Sequence, residues 1–332
     1  MSIISTGVVS TILKPNNNRP NFCLEVWGTD YNKIKDMCIL AEKLGYDGFF
    51  YGESLADIDL DCWTILSNLS AVTNKIKLGP VITYLFPRYR SIVLLAKQAV
   101  TLQETSNGRL ELRTGAGAPL QWSLQWWHPY GIEYPNKVER VSMLEEGIQL
   151  LHRLWESSSH RNNEHSVHFS GKYFKLNGAS LKKPCKTIPI TIAAKKRKTM
   201  QIAAKYADVW ESSYIIPEQF TSLSKKFEDI ESEQSNNNNS VDKKTIKKSI
   251  ELDVVIADSD SDLEYKKRIF AMERGPGVTH QILNHGLVGT ADKIAERIKE
   301  YTDAGVNQFF LAFQDPFDSR ALELFTDAFR KM

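Results

Sequence analysis

The sequence has no marked excess of charge of either sign. Its 332 residues include 42 Lys and Arg against 40 Asp and Glu, which gives a formal net charge of +2 at pH 7. Proteins that bind nucleic acid or an acidic membrane usually carry a strong basic excess. The balance argues against both kinds of partner, so any basic cluster in this chain is a local feature.

Long apolar runs and closely spaced cysteines are also missing. No apolar stretch approaches the ~20 residues of a membrane helix, and residues 1–15 lack the basic start and apolar core of a secretory signal. The four cysteines are widely separated, and His128, His280 and His285 show no metal-ligand spacing. We therefore expect a cytoplasmic protein with reduced cysteines and without a bound metal.

What the chain does contain is a repeated alternation of short apolar strands and helical segments. The strand-like segments are residues 22–27, 47–52, 76–85, 109–115, 188–194, 207–212, 249–257 and 306–313. Nearly all are followed by a helical pattern, which predicts an α/β fold of the (β/α)8 or TIM-barrel type. An open doubly wound sheet is the alternative, but the first strand lacks the Gly-rich turn typical of that fold.

Three longer connections interrupt this alternation. Residues 118–136, after the fourth strand, are rich in Trp, Pro and Tyr, and residues 157–187 contain a hairpin-like segment. Residues 258–288 follow the seventh strand and combine an acidic stretch with a Gly- and Pro-containing segment. We expect one domain, residues 1–332, with these segments as excursions from the barrel and with a surface loop at the Asn-rich run 235–240.

Six segments, in order, resemble the bacterial luciferase-like monooxygenase superfamily. They include AEKLGYDGFFYGES, IKLGPVITYLFPRYRS, NGRLELRTGAGAP, ERVSMLEEGIQLLHRLW, IPITIAA with AAKYADVW, and VGTADKIAERIKEYTDAGVNQFFLAF. The resemblance covers about residues 22–330 and extends to methylenetetrahydromethanopterin reductase-like members. It implies a TIM barrel that binds FMN or the deazaflavin coenzyme F420 at the carboxyl ends of its strands. The implied activity is hydride transfer or two-component monooxygenation.

The resemblance also indicates where the cofactor ring would lie. Two sets of residues match family segments that face the ring: Val81, Ile82 and Thr83 at the third strand, and Gly115, Ala116 and Gly117 at the fourth. The first set matches a segment in which many members have a non-prolyl cis peptide. The second consists of small residues, which let a flat ring approach the backbone. An ordinary strand end and a plain tight turn are the alternative interpretations.

Glu53 and Ser54 stand where many relatives carry Asp-His or Glu-His, which makes them the candidate catalytic residues. The histidine that helps catalysis in the deazaflavin dehydrogenases is absent here, and Ala118 and Pro119 replace an acidic residue of several of those enzymes. A carboxyl group buried beside the ring has a raised pKa and can carry a proton, as we expect for Glu53. A salt bridge or a helix cap is its alternative role.

A run of basic residues lies between the fifth strand and its helix, where relatives bind the cofactor phosphate. The predicted set is Ala194, Lys195, Lys196, Arg197, Lys198 and Thr199. We expect the N–H groups of Lys198, Thr199 and Met200 to open the helix and attract an anion, with a cationic side chain adding a charge-assisted bond. Four charges exceed the need of one phosphate, which favours F420 with its acidic tail over FMN. A solvated charge run is the alternative.

Aromatic residues near the strand ends predict a pocket for a small organic substrate. The predicted substrate-binding set is Trp27, Trp63, Tyr84, Arg88 and Trp122. Trp126 and Trp127 are expected to pack the first excursion onto the barrel or to form a dimer contact.

Together these features predict an F420-dependent oxidoreductase of the luciferase-like type that transfers a hydride, and that forms a homo-oligomer, most simply a dimer. An FMNH2-dependent monooxygenase, supplied by a partner flavin reductase, is the alternative function. A flavin-binding barrel without turnover is a third hypothesis.

Overall fold

The computed structural model describes residues 19–157, 166–238 and 245–331. The strands in this part of the chain are β1 (Asn21–Val26), β2 (Gly48–Gly52), β3 (Lys77–Val81), β4 (Leu112–Gly115), β5 (Val167–Ser170), β6 (Lys175–Ala179), β7 (Ile190–Ala193), β8 (Val209–Ser213), β9 (Lys247–Ile256), β10 (Leu287–Gly289) and β11 (Gln308–Phe313).

The α-helices of the same part are α1 (Tyr31–Leu44), α2 (Cys62–Val72), α3 (Ile92–Thr105), α4 (Leu120–Trp127), α5 (Lys137–Glu156), α6 (Arg197–Tyr206), α7 (Pro217–Asn238), α8 (Asp260–Arg274), α9 (Pro276–His285), α10 (Ala291–Asp303) and α11 (Ser319–Arg330).

Eight of the strands form a nearly closed parallel ring in the order β3-β2-β1-β11-β9-β8-β7-β4. Single bridges between Leu78 and Leu110 and between Thr83 and Thr114 connect the two ends of this order, β3 and β4. β10 pairs with β9 beside the ring, and β5 and β6 form the separate predicted hairpin. The TIM-barrel prediction is confirmed, with β3 and β4 shorter than predicted.

Local sequence signals set the ends of the helices that surround the ring. Helix α1 begins after Asp30, whose side chain accepts hydrogen bonds from the N–H groups of Asn32 and Lys33. It ends at Gly45, which has a φ of 91° and suits a left-handed cap. Apolar strand residues such as Leu24 and Ile192 are fully buried in the core that these helices cover.

The interior of the barrel is charged as well as apolar. Arg113 on β4 is fully buried, and its guanidinium contacts the carboxyl groups of Glu25, Glu211 and Glu251 on three other strands. It also lies 4.1 Å from the ring centroid of Phe310. Burial raises the pKa of Glu25 and of Glu211, while the guanidinium opposes that rise. One arginine therefore ties together β1, β4, β8 and β9.

The excursions contain more helix than the sequence predicts. The first contains α4, and the third contains α8 and α9. The predicted surface loop at 235–240 is wrong for residues 235–238, because α7 continues through Asn238; residues 239 and 240 lie outside the described residues. Thr290 is the N-cap residue of α10, and its side chain makes no capping hydrogen bond.

Among the described helices, none combines the length and the apolar character that a membrane crossing requires. The described residues also contain no group of three or more His, Cys, Asp or Glu side chains that could hold a metal ion. Cys23, Cys38 and Cys62 are buried free thiols, and Cys185 is an exposed one.

Candidate active site

The carboxyl end of β3 forms a bulge at the mouth of the barrel. The peptide bond between Val81 and Ile82 is cis, so the predicted non-prolyl cis peptide is confirmed. Val81 O accepts a hydrogen bond of 2.9 Å from the N–H of Glu53, and Thr83 N–H donates one of 2.9 Å to Arg113 O. The Thr114 hydroxyl donates to Thr83 O over 2.7 Å. Hydrogen bonds from both neighbouring strands thus hold the bulge in place.

Glu53 lies at the end of β2, is 4% exposed, and has both carboxylate oxygens engaged. Oε2 accepts from the Thr83 hydroxyl, and Oε1 pairs with the Arg90 guanidinium and accepts from Tyr89 at 3.4 Å. Burial raises the pKa of Glu53, and the nearby Arg90 charge and the Thr83 bond oppose that rise. The structure shows the salt bridge that was the alternative role, while proton transfer by Glu53 stays a prediction.

Ser54 does not project alone into the mouth, because it is bonded within the loop that follows β2. Its hydroxyl donates to Asp59 Oδ1 over 3.1 Å and accepts from the N–H of Ala56 over 3.1 Å. The same loop is fixed by Tyr51, whose hydroxyl accepts from the N–H of Leu60 over 2.7 Å. The candidate residue Ser54 therefore comes with a buried carboxyl partner that the sequence analysis did not identify.

The small residues at the end of β4 are required by the packing of the protein itself. A Cβ on Gly115 would lie 3.2 Å from Ile82 Cδ1 and 3.2 Å from Ala193 Cβ. Gly117 has a φ of 86°, and its Cβ would lie 2.3 Å from the Tyr134 hydroxyl. Gly117 is thus in a left-handed conformation with no room for a side chain, whereas Gly115 allows the segment at Ile82 and β7 to lie in close contact beside the mouth.

The carbonyl of the intervening residue Ala116 binds α5, the helix that follows the first excursion. Its oxygen accepts a hydrogen bond of 2.8 Å from Arg140 Nε on α5.

The basic run is split between different surroundings. Arg197 pairs with Glu233 on α7 at 2.6 Å, at the protein surface. The Lys195 amine donates to Ser213 O at the end of β8, and partial desolvation of the amine lowers its pKa. Lys196 and Lys198 are exposed, and in the described part of the chain neither has an ion-pair partner. These two are the cations left available for an anion.

Helix α6 begins one residue earlier than the phosphate prediction requires. The N–H of Met200 donates to Lys196 O over 2.9 Å, so the inclusion of Met200 among the open donors is wrong. The first turn, from Arg197 to Thr199, instead supplies the N–H groups without intrahelical acceptors. The Thr199 hydroxyl donates to Lys196 O over 2.9 Å.

Ala194 lies just before this helix with its backbone groups already used. Its N–H donates to Glu211 O over 2.9 Å, and its carbonyl accepts from Trp210 Nε1 over 2.8 Å. The start of α6, with Lys196 and Lys198, fits the phosphate of FMN or of F420, because helical N–H groups and unpaired cations favour an anion there.

The predicted substrate residues do not all reach the same place. Trp27 lies against Gly52, whose Cβ would be 2.3 Å from the indole, and Trp63 is buried with its ring centroid 5.9 Å from the Arg90 guanidinium carbon. Arg88 is exposed and pairs with Glu133, so Arg90 rather than Arg88 is the arginine that enters the site. The Trp122 side chain lies outside the described residues.

Tyr84 belongs to a buried aromatic cluster beneath the first excursion. Its ring lies 5.2 Å from that of Trp127, which is fully buried, and Phe86 and Tyr134 complete the contact. The prediction that Trp126 and Trp127 pack the excursion onto the barrel is confirmed. Tyr84 therefore supports this packing rather than lining an open pocket.

The parallel strands form a nearly closed TIM barrel. A buried carboxyl group, a backbone bulge and a basic helix start lie at the carboxyl ends of these strands, which is where TIM-barrel enzymes have their active sites. The sequence profile of the luciferase-like monooxygenases matches residues 13–272, and the chain belongs to this family. Its homologues include an F420-dependent dehydrogenase and monooxygenases.

Two curated relatives illustrate the range of the family. The chain is 27% identical over 186 residues to the F420-dependent glucose-6-phosphate dehydrogenase of Nakamurella multipartita, across 53% of this chain and 50% of that protein. It is 29% identical over 187 residues to the pyrimidine monooxygenase RutA of Rhizobium rhizogenes, across 52% and 47%. The matched region spans about half the length of these relatives.

Among solved structures, an F420-dependent secondary alcohol dehydrogenase in complex with an F420-acetone adduct superimposes with a TM-score of 0.77. The alignment covers 93% of this chain and 98% of that one at 18% identity, which supports the fold.

Proposed function

We propose that the protein is an F420-dependent oxidoreductase that transfers a hydride between the deazaflavin and a small organic substrate. The observation that carries this proposal is the cluster of cations at the start of α6, where Lys196 and Lys198 stay available beside the open N–H groups. Both side chains are exposed, so the acidic tail of F420 would bind whichever cation the phosphate leaves unpaired. The relatives named above include F420-dependent dehydrogenases.

In this proposal the bound cofactor supplies the redox chemistry, and the chain supplies binding, orientation and exclusion of water. The first turn of α6 and the side chains of Lys196 and Lys198 hold the phosphate end. The bulge at Val81–Thr83, fixed by Glu53, gives the ring a rigid support. Trp27 and Trp63 supply apolar surface at the mouth, which keeps water from the reacting carbon.

An FMNH2-dependent monooxygenase is the second candidate. It is favoured by the match to the pyrimidine monooxygenase, which is as extensive as the match to the F420-dependent dehydrogenase, and by Ser54 in place of the dehydrogenase histidine. A protein of this type would draw reduced flavin from a partner reductase.

Fluorescence titration with FMN and with oxidised F420 separates the two candidates. We expect F420 to bind more tightly to the purified protein, because its additional carboxylates meet the exposed lysines. Binding of FMN with no binding of F420 would refute the proposed function and favour the monooxygenase.

The phosphate role of the basic run is tested with a neutralised variant and a matched control. Lys196→Gln with Lys198→Gln is expected to weaken F420 and FMN roughly tenfold or more, since a hydrogen bond to a charged group contributes about 1.5–3 kcal/mol. Riboflavin, which lacks the phosphate, should be unaffected. Arg197→Gln is the control, because that side chain already pairs with Glu233. Equal weakening of riboflavin would reject the phosphate role.

A further inference from the structure

The interior of the barrel around Arg113 carries more carboxyl groups than cations. Arg113 contacts Glu25, Glu211 and Glu251, so three carboxyl groups share one guanidinium. Glu25 pairs with Nη1 of Arg113, and Glu251 accepts from Nη2 over 2.9 Å. Because these two nitrogens belong to one planar group, the carboxyl groups of Glu25 and Glu251 lie side by side. We call this pair the acidic floor.

Glu25 has an oxygen atom that the protein itself does not satisfy. The residue is fully buried, and its Oε1 accepts from Arg113, whereas its Oε2 has no hydrogen-bond partner among the described residues. A buried acceptor without a donor destabilises the folded state, and such groups are rare in proteins. Glu25 Oε2 therefore indicates a hydrogen-bond donor that a bound molecule supplies.

Glu251 connects the acidic floor to solvent. Its Oε2 binds Arg113 inside the ring, yet its side chain is 16% exposed. Its Oε1 accepts a hydrogen bond of 2.5 Å from the Tyr214 hydroxyl. Tyr214 directly follows β8 and is 42% exposed, so the opening that reaches Glu251 lies at the carboxyl ends of the strands.

This opening is the same mouth that contains Glu53. Burial raises the pKa of Tyr84, and the charges of Glu53 and Glu251 both add to the rise, so both carboxyl groups act on one ring. Burial also raises the pKa of Tyr214, and the charges of Glu251 and Asp253 add to that rise. The Tyr214 hydroxyl therefore stays neutral, and the mouth above the acidic floor has a negative potential.

Lys195 is a further cation near the acidic floor, but it is not paired with it. Its amine donates to Ser213 O, and in the described part of the chain it forms no ion pair with a carboxylate. Partial desolvation lowers the pKa of Lys195, although the charges of Glu251 and Glu211 favour the protonated amine. No group of described side chains could hold a metal ion. The acidic floor thus suits an organic cation rather than a metal.

We propose that the acidic floor binds the ammonium group of a small primary amine. A primary ammonium has three N–H donors, and three acceptors meet it: Glu25 Oε2, Glu251 Oε1 and the oxygen of the Tyr214 hydroxyl. Burial raises the pKa of Glu25, and an adjacent ammonium favours its charged form as Arg113 does. Charge-assisted hydrogen bonds are stronger than neutral ones, so an alcohol of the same shape should bind less tightly.

This inference rests on the proposed function in one respect, because it takes the amine as the substrate and so names the substrate's chemical class. Binding of the amine can be measured without any cofactor, and the first test uses this.

Saturation-transfer NMR titrations of the whole chain with butylamine, butanol and butyrate at pH 7.5 compare a cation, a neutral molecule and an anion of similar size. We expect butylammonium to bind at least about tenfold more tightly than butanol, which is the gain from hydrogen bonds to charged groups. Butyrate should not bind, because the acidic floor repels an anion. Equal affinity for all three molecules, or tighter binding of butyrate, would overturn the cation site.

Two variants locate the site. Glu251→Gln keeps an amide oxygen for Arg113 but removes the charge, so it should weaken butylammonium at least about tenfold and change butanol little. Tyr214→Phe should weaken butylammonium several-fold and keeps the charges in place, so it decides the matter if circular dichroism shows that Glu251→Gln does not fold. Glu133→Gln is the matched control, since that carboxylate pairs with Arg88 at the surface. Unchanged butylammonium binding in the folded variants would overturn the site.

Cofactor titrations separate this inference from the proposed function. They use oxidised F420 and the wild-type protein, with and without butylammonium. Binding of butylammonium without any binding of F420 would refute the proposed function and leave the cation site intact. Binding of F420 with no preference for butylammonium over butanol would overturn the cation site and leave the proposed function intact.

Discussion

The ion pair between Arg90 and Glu53 gives the sharpest test of how the mouth of the barrel is held. The Arg90 side chain is 12% exposed and the Glu53 side chain is 2% exposed, so both charges are largely shielded from water. Arg90 also donates to Gln98 Oε1 over 3.1 Å. Replacing Arg90 by Met keeps most of the side-chain volume and leaves the Glu53 carboxylate without its cation.

Removing one partner of a buried ion pair costs about 3–5 kcal/mol, because the remaining charge has no compensation. With an unfolding entropy of about 0.7 kcal/mol/K for a chain of this length, Arg90→Met should lower the Tm by roughly 4–7 °C. The double variant Glu53→Gln with Arg90→Met removes both charges and should recover most of this loss. The two substitutions are therefore expected to be strongly non-additive.

The stability that Arg90→Met loses should also depend on pH. Burial already raises the pKa of Glu53 above its unfolded value, and removal of Arg90 raises it further. The folded variant then binds a proton more tightly than the unfolded chain, so the variant gains stability as the pH falls through the folded pKa. We expect the difference from wild type to be larger at pH 8 than at pH 5.

Urea unfolding followed by circular dichroism at both pH values measures these quantities. Arg88→Met is the matched control, since Arg88 pairs with Glu133 at the surface and its removal should have no measurable effect. A loss in Arg90→Met no greater than in Arg88→Met, or strict additivity in the double variant, would refute the reasoning.

Three other substitutions probe features outside this pair. Gly117→Ala should lower the free energy of unfolding by about 2–4 kcal/mol, because the left-handed φ of 86° is combined with a clash at the Tyr134 hydroxyl. The control Gly131→Ala, with a φ of 71° and no atom within 4 Å of its Cβ, should lower it by about 1–2 kcal/mol. Equal losses in thermal unfolding would contradict the clash. Arg113→Met should lower the urea midpoint strongly at pH 7.5 and less at pH 5, since Glu25 and Glu211 have raised pKa values and become neutral in acid; a pH-independent loss would count against this account. Trp127→Phe should lower the free energy of urea unfolding by only about 1–3 kcal/mol. The indole N–H is buried without a hydrogen-bond partner among the described residues, so only packing is lost.

The barrel could be predicted from the sequence because a local residue pattern indicates each strand. Short apolar runs such as 188–194 are followed by helical patterns, and caps such as Asp30 and Gly45 mark where the helices start and end. The cis bond at Val81–Ile82 followed from the family resemblance rather than from any local signal. The helix at 235–238 was missed because an Asn-rich run has low helix propensity, which the preceding turns of α7 overcome.

The site was predicted less well because side-chain direction after a strand end is set by tertiary contacts. Arg88 and Arg90 are equivalent in the sequence, but only Arg90 turns inward to Glu53. Asp59 lies in an acidic stretch that is typical of a solvated loop, but it is buried and its Oδ2 lies close to Gly52 on β2. The pairing of Arg197 with Glu233 on α7 is a contact between distant segments that no local pattern contains.

The Arg113 cluster also has a consequence for the order in which the chain can fold. Its three acidic partners lie 88, 98 and 138 residues away in the sequence. Contacts of such long separation form slowly, because a long loop must close before any of them stabilises the chain. During synthesis, Arg113 cannot contact its last carboxylate, on β9, until that strand has left the ribosome. Before then, the amino-terminal strands lack this contact with the rest of the barrel. The charged interior thus makes completion of the barrel a late step that depends on nearly the whole chain.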